Sequence, residues 1–540
     1  MSQVIPARFE ARFHENLSYL RSSHPALYQN LSKRRMEIGL KQTGDGRLNL
    51  TLEGRYLESP HGYEKQSDGD PGVTEGPVIY LGSGLGYRIN RLQAAAGGES
   101  VLIERDPEVF RAALYVLEPA VLRTLVLYVD TDTQVLAREV PRLLSGRRAR
   151  IVQHRRSVQL HRQYYDEVLT LITDALKSIL ASDVTARASR RLWLKNVLRN
   201  LTSLGRGCFG SRSLSSAFSG PAILVASGPF LEDIVDDLRR WARLVPLFSL
   251  LPSVPYLQHN GITPDFVVTT DAGFWNRYRV CRGCSLPLIT TYSAEPVLVE
   301  NWEGPRLFFS HGLPIERLIP PIHRLSLVVP MQGTASIVMV LIARAMGFTD
   351  LYLAGFDFAF LGMKDHHRGA GFEALLSSVV HRFAPLPTVL TQRMRSEGMR
   401  LVEDCGRVTI PTSHKLLLYR NWFEREVDLR GLKRLNNGAV LRGVPTARRE
   451  DLERRGPEIR VSFKKTMEHL VLDPLERGVA EESLETLKRL FAKREEAASR
   501  EIRDMFIGSN GEPTDGNALL SDLDFIAQEL ERMQRRRSCL

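Results

Sequence analysis

The sequence predicts an α/β protein, with a Rossmann-like N-terminal domain, a central doubly wound α/β domain and a helical C-terminal region. Short apolar runs alternate with helical patterns, at 78–81, 221–226, 266–271 and 351–357. Runs of that length without polar alternation read as parallel strands buried on both faces. They end on small or acidic residues, namely Gly82-Ser83-Gly84, Ser227-Gly228-Pro229, Asp271 and Asp357. The carboxyl ends of the strands are where an open parallel sheet keeps its ligand crevice.

At 540 residues the chain has room for roughly two to four domains. The pattern divides it at 1–157 (Rossmann-like), 158–215 (helical connector), 216–425 (central) and 426–540 (mainly helical). A net charge of +11 gathers in clusters such as Arg147-Arg148, Arg155-Arg156, Arg190-Arg191 and 535–537. Without an aromatic-interleaved basic strand this reads as a solvated surface, with no nucleic-acid partner. Five scattered cysteines suit a reducing, cytoplasmic setting. Cys281 and Cys284 have the spacing of half a zinc site, but no second pair completes it, so they read as structural. No metal is expected. The N-terminus lacks a signal-peptide pattern. The uncharged stretch 325–343 approaches span length, yet Pro330, Gln332, Gly333 and Thr334 interrupt it, which predicts strand, turn and buried helix instead.

In chain order, 10–40 reads as helical, 48–52 as a strand closing a hairpin near Gly54, and 58–77 as an exposed loop. The strand 78–81 leads into Gly82-Ser83-Gly84-Leu85-Gly86, a helix over 88–96 and the strand 100–104. That strand ends on Glu104, about 20 positions after the glycines, close to the dinucleotide or S-adenosylmethionine fingerprint. Two readings stay open: a nucleoside site, or a ligand-free domain keeping the turn for packing. Strands near 125–129 and 149–152 continue this sheet. Residues 158–204 read as helix and 211–220 as a linker.

In the central domain, strand 221–226 breaks at Ser227-Gly228-Pro229 before a helical pattern. The unpaired N–H groups of such a turn and the following helix N-terminus make an anion site. Further strands are expected at 245–250, 266–271, 286–291, 306–309 and 351–357. Gln332, Gly333, Thr334, Ala335 and Ser336 open a helix over 337–346. Ser227, Gly228, Asp271, Gly333, Thr334, Ser336 and Asp357 thus share one edge of the sheet. The loop after Asp357 carries Lys364, His366, His367 and Arg368 over that edge, and a histidine there is a natural general base near neutral pH. Residues 386–420 read as loop with a strand at 407–410. The C-terminal part is mostly helix, clearest from 481 to 506.

These motifs, with Trp193, Asn196 and Asn200 before them, resemble the motility-associated factor (Maf) glycosyltransferases over about 45–425. The matching stretches are 220–229, 262–271, Gly333-Thr334-Ala335-Ser336, 355–360 and His366-His367-Arg368-Gly369. The resemblance implies transfer of a nonulosonic acid, pseudaminic or legionaminic, from a CMP-activated donor to flagellin Ser/Thr in the cytoplasm, with no cofactor. The central domain is similar to bacterial sialyltransferases and to archaeal hydroxymethyldihydropterin pyrophosphokinase. Under this reading Ser227, Gly228, Pro229 and Gly333 to Ser336 hold the donor phosphate, Asp271 and Asp357 hold hydroxyls, and His366 takes the acceptor proton, with His367 second. Phe230 stands where the family commonly has Ser. Three rivals follow: a pyrophosphokinase with Asp271 and Asp357 on Mg²⁺, a methyltransferase working from Gly82 to Glu104, and a non-catalytic flagellin-binding chaperone.

Overall fold

The computed structural model describes residues 5–33, 39–44, 46–52, 55–58, 77–96, 100–144, 150–279, 284–370 and 380–493. The expected turn at Gly54, most of the 58–77 loop, Arg147-Arg148, Cys281, the helix beyond 493, residues 535–537 and Cys539 lie outside them. The chain forms two compact units, dividing between Asp183 and Val184.

In the first unit, β1 (Leu40–Gln42), β2 (Leu48–Leu52) and β3 (Arg55–Tyr56) form a small antiparallel sheet. The strands β4 (Val78–Leu81), β5 (Ser100–Glu104), β6 (Leu125–Val129) and β7 (Arg150–Gln153) pair in parallel, in the order β6-β5-β4-β7. Both faces are covered. Tyr80 and Leu102 pack with Phe9, Phe13 and Leu20 of the first helix. Ile79, Val101 and Ile103 pack with Tyr165 and Val168. This is the Rossmann-like arrangement the apolar runs predict.

The second unit is built on a nine-stranded sheet. Its strands are β8 (Cys208–Gly210), β9 (Pro221–Val225), β10 (Leu247–Leu250), β11 (Phe266–Thr269), β12 (Leu288–Thr291), β13 (Arg306–Phe309), β14 (Asp350–Ala354), β17 (Leu432–Arg434) and β18 (Asp473–Pro474). A separate antiparallel hairpin pairs β15 (Met399–Glu403) with β16 (Thr409–Ser413). The order is β17-β14-β9-β10-β11-β12-β13-β8-β18, with only β18 antiparallel. Along β9, Ala222 and Leu224 face the helix Ala335–Ala345, while Ile223 and Val225 face Leu231, Leu238 and Trp241. Full burial of each such aliphatic side chain stabilises by about 1.5–3 kcal/mol. From β9 the chain advances to β13 on one side, then returns to β14 and β17 on the other. The sheet therefore reverses direction between β9 and β14, the switch point where open α/β sheets place their crevice.

Three expectations change. β8, β17 and β18 belong to this sheet, so boundaries at 216 and 425 cut strands away from it. The segment after 229 begins as a 3₁₀ helix, Pro229–Ile234, before the α-helix Val235–Trp241. The stretch 386–420 holds the helix Leu386–Ser396, the β15–β16 hairpin and the start of the helix His414–Glu426. Among the described residues no helix is long and apolar enough to cross a membrane.

Candidate functional site

At the switch point the turns after β9 and β14 are laced together. Gly228 N–H donates to the Gly355 carbonyl at 2.9 Å. Phe230 N–H donates to Asp357 Oδ2 at 2.7 Å, and the Asn436 amide donates to Asp357 Oδ1 at 2.6 Å. Asn436 Oδ1 in turn accepts the Gly355 N–H. Asp357 is buried, and burial pushes its carboxyl up to about 7 against the hydrogen bonds from Asn436 and Phe230 and the charge of Arg434. The expected phosphate cradle at Ser227, Gly228 and Pro229 is thus filled from within: Asp357 takes the place of the anion, and Pro229 has no N–H to offer. The buried Phe230 contributes its backbone N–H to this cage. Asp357 accordingly acts as a cage for the turn, with neither oxygen open to a sugar hydroxyl. A Cβ at Gly228 would lie 2.3 Å from Asp357 Oδ2 and 2.5 Å from the Gly355 carbonyl. Gly228→Ala is therefore expected to lower the unfolding free energy by about 3 kcal/mol, the upper end of overpacking costs, read as a shift of the denaturant midpoint.

The two neighbouring histidines have opposite surroundings. His367 is fully buried. Its Nδ1 lies 2.8 Å from the Arg368 carbonyl, which can only accept, so Nδ1 carries the proton. Its Nε2, 3.0 Å from Ser253 Oγ, is then an acceptor. Ser253 Oγ lies 2.8 Å from Ser227 Oγ, and Tyr256 packs on the imidazole at 4.7 Å. His367 N–H donates to the Ser227 carbonyl. His367 and Ser227 thus pin the loop to the sheet edge, and His367 cannot reach an acceptor hydroxyl. His366 is 43% exposed at its side chain, with Nδ1 3.0 Å from Asp365 Oδ1. Asp365 Oδ2 accepts from Arg393 at 2.9 Å. Burial works against the Asp365 charge, but His366 and Arg393 outweigh it and hold the carboxyl below its ordinary range. A half-exposed imidazole with a carboxylate 3.0 Å from its Nδ1 is a candidate general base.

The other expected residues lie on neighbouring strand ends. Asp271 is exposed just past β11, with Oδ1 accepting the Gly273 N–H at 2.8 Å. Thr334 caps the helix Ala335–Ala345 by accepting the Ile337 N–H, and its Oγ1 lies 2.5 Å from Ser336 Oγ. Gly333 lies flat against Trp422, whose ring a Cβ would meet at 2.0 Å. Residues Gly333, Thr334, Ala335 and Ser336 are half-buried, and of the first helical N–H groups that of Ile337 is taken by Thr334. Sequence reasoning did not single out Ser253, Asn436 or Asp365. Asp365 was visible as the neighbour of His366. Ser253 and Asn436 had no local signal beyond their place after a strand.

In the first unit the glycine turn is also filled. Glu104 Oε2 accepts from Ser83 N–H and Oγ, and Oε1 accepts from Asp106 N–H and Tyr165 OH. Glu58 Oε1 accepts the Leu85 N–H at 2.8 Å and sits 3.5 Å from His154 Nε2. Burial opposes the Glu58 charge, yet His154, the Leu85 N–H and Arg47 hold its carboxyl below the ordinary range. A Cβ at Gly82 or Gly84 would strike Ser157 or His154. These contacts favour the packing reading of the turn over a nucleoside site.

Residues 195–362 match the model of the 6-hydroxymethylpterin diphosphokinase MptE-like family. No curated protein matches the chain. The solved MAf glycosyltransferase of Magnetospirillum magneticum AMB-1 superposes with a TM-score of 0.59 at 14% identity, over 97% of this chain and 95% of that one. From end to end, then, this chain has the fold of a Maf glycosyltransferase, with an MptE-like match within its second unit.

Proposed function

We propose that the chain is a protein O-glycosyltransferase that moves a nonulosonic acid of the pseudaminic or legionaminic type from a CMP-activated donor to a flagellin Ser or Thr. The observation that carries the reading is the Asp365–His366 ion pair, a half-exposed imidazole beside a carboxylate in the loop after the switch-point strand β14. The fold likeness over the whole chain supports the transferase class. His366 Nε2 takes the proton of the acceptor hydroxyl as its oxygen forms the bond to the anomeric carbon. The anomeric C–O bond to the donor phosphate breaks, and CMP departs with the electron pair. The N–H groups opening the helix Ala335–Ala345 stabilise that phosphate, in place of the filled turn at Ser227. The exposed Asp271 accepts a sugar or ribose hydroxyl. The reaction as written uses no metal or cofactor.

The match of residues 195–362 favours one other reading, an ATP-dependent pyrophosphokinase of the hydroxymethyldihydropterin type. There Asp271 and Asp357 would hold Mg²⁺, and the cation would have to displace Asn436 or the Phe230 N–H from Asp357. Intact-mass analysis of flagellin from cells with and without the gene separates the readings. A glycan mass lost on deletion supports glycosyl transfer. An unchanged mass overturns it, with Mg²⁺-dependent ATP turnover by the purified protein then favouring the kinase. An unchanged mass with a persistent flagellin complex favours a non-catalytic chaperone.

A further inference from the structure

The segment leaving β11 exposes three large aromatic side chains within five residues: Phe274 is 48% exposed, Trp275 50% and Tyr278 69%. They touch one another, with ring centroids 5.5 Å apart for Phe274–Trp275, 5.9 Å for Phe274–Tyr278 and 6.0 Å for Trp275–Tyr278. The Arg277 guanidinium lies over the Phe274 ring at 3.8 Å. Rings left in water forgo the hydrophobic gain of burial, so a contiguous exposed cluster marks a surface that is covered in use.

The cluster is held rigidly from behind. Arg277 pairs at 2.6 Å with Glu295, a buried carboxylate that also caps the helix Pro296–Glu300. Asn276 is buried and donates to the Gly273 carbonyl. Asn196 of the helix Arg162–Thr202 clamps the Ala272 and Ser293 carbonyls. The cluster also adjoins the candidate site. It follows Asp271 directly, and Arg279 at its end donates to the Ala370 carbonyl, in the loop that carries His366.

We propose that Phe274, Trp275 and Tyr278 form the seat of the protein acceptor, gripping apolar side chains that flank the hydroxyl to be modified; this rests on the glycosyl-transfer reading above. Of the two reactants, the protein brings the broader apolar surface, since the donor is a charged, hydroxyl-rich sugar nucleotide. Phe274 meets Trp275 and Tyr278 edge to face at 86° and 68°, and Trp275 and Tyr278 are tilted by 39° to each other, so no two rings are coplanar and together they build a knob and not a continuous flat platform. Pre-organised Trp, Tyr and Arg side chains are the residues that dominate binding energy at protein interfaces.

The test is the Trp275→Ser/Tyr278→Ser double variant, whose changes lie on the surface. With flagellin monomer and CMP-activated sugar, the acceptor KM is expected to rise about 10- to 100-fold, with the donor KM and the sedimentation coefficient unchanged. Flagellin binding without donor is expected to weaken by the same factor. An unchanged acceptor KM overturns the proposal. So does a rise confined to the donor KM, which would make the knob a donor contact, or a drop in oligomeric state, which would make it a self-association surface. If the wild-type chain transfers no sugar, the function proposed above fails on its own. The binding measurement then still decides the seat: flagellin binding lost in the variant upholds it, and flagellin that fails to bind the wild-type chain overturns it.

Discussion

His366→Ala is expected to lower the turnover of flagellin glycosylation by about 10²–10⁴-fold, the usual contribution of a positioned general base, with donor and acceptor KM values little changed. The side chain stands 43% exposed, with Asp365 Oδ1 3.0 Å from its Nδ1. Asp365 is anchored in turn by Arg393 at 2.9 Å, so Asp365→Asn is expected to lower turnover as well, by loosening the imidazole and removing the charge that stabilises its protonated form. Steady-state kinetics checks the assignment, because the loss in His366→Ala should fall on kcat. His367→Gln provides the contrast. His367 is sealed between Arg368, Ser253 and Tyr256, so its replacement should lower stability and leave kcat of the folded protein nearly intact. A folded His367→Gln variant that loses kcat, beside a His366→Ala variant that keeps it, would reverse the roles given to the two residues.

That reversal of surroundings within one His-His dipeptide shows where sequence stops being informative. The strands β9, β11 and β14 were legible because burial on both faces demands apolar residues at every position. β8, β17 and β18 were not, since two or three residues such as Leu432-Lys433-Arg434 or Asp473-Pro474 are too short to carry a period. Of the β15–β16 hairpin only the stretch 407–410 read as strand, because in β15 the apolar Met399 and Leu401 are exposed along with Arg400 and Glu403, which leaves no buried face to mark it. The crevice could be placed from strand ends alone, but its contents could not. The Asp357 carboxylate reaches a turn 127 residues earlier in the chain, and the Ser253 hydroxyl reaches His367 across 114 residues. A Ser-Gly-Pro turn looks open in sequence whether or not a distant carboxylate closes it. The same holds for Gly82 to Gly86, where Glu58 and Glu104 meet the N–H groups that the motif alone would leave for a ligand.

Asp357 gives the largest expected effect on stability. Removing its side chain in Asp357→Ala strands the Phe230 N–H and the Asn436 amide inside the protein, at about 1–3 kcal/mol for each unpaired group. The two turns also lose the bridge that ties β9 to β14, so a total loss of about 3–5 kcal/mol is expected in chemical denaturation. Asp357→Asn isolates the charge. Burial raises the carboxyl from the ordinary 3.8 to about 7 in the folded chain, so between these values the native state holds a proton that the unfolded state has released. Native stability contributed by this group is therefore complete below about pH 4, declines as pH rises towards 7, and is level above that. Across this window the wild-type protein should lose up to about 4 kcal/mol relative to Asp357→Asn, at 1.36 kcal/mol for each pH unit separating the two values. The asparagine carries a constant handicap of about 1–3 kcal/mol, because its NH₂ must face either the Phe230 N–H or the Asn436 amide. Unfolding free energies of both proteins at several pH values from 4.5 to 8 give the difference directly. A difference that stays flat over that range would mean that the Phe230 and Asn436 hydrogen bonds keep Asp357 ionised in spite of its burial, and the turn would then be closed by a permanent internal anion.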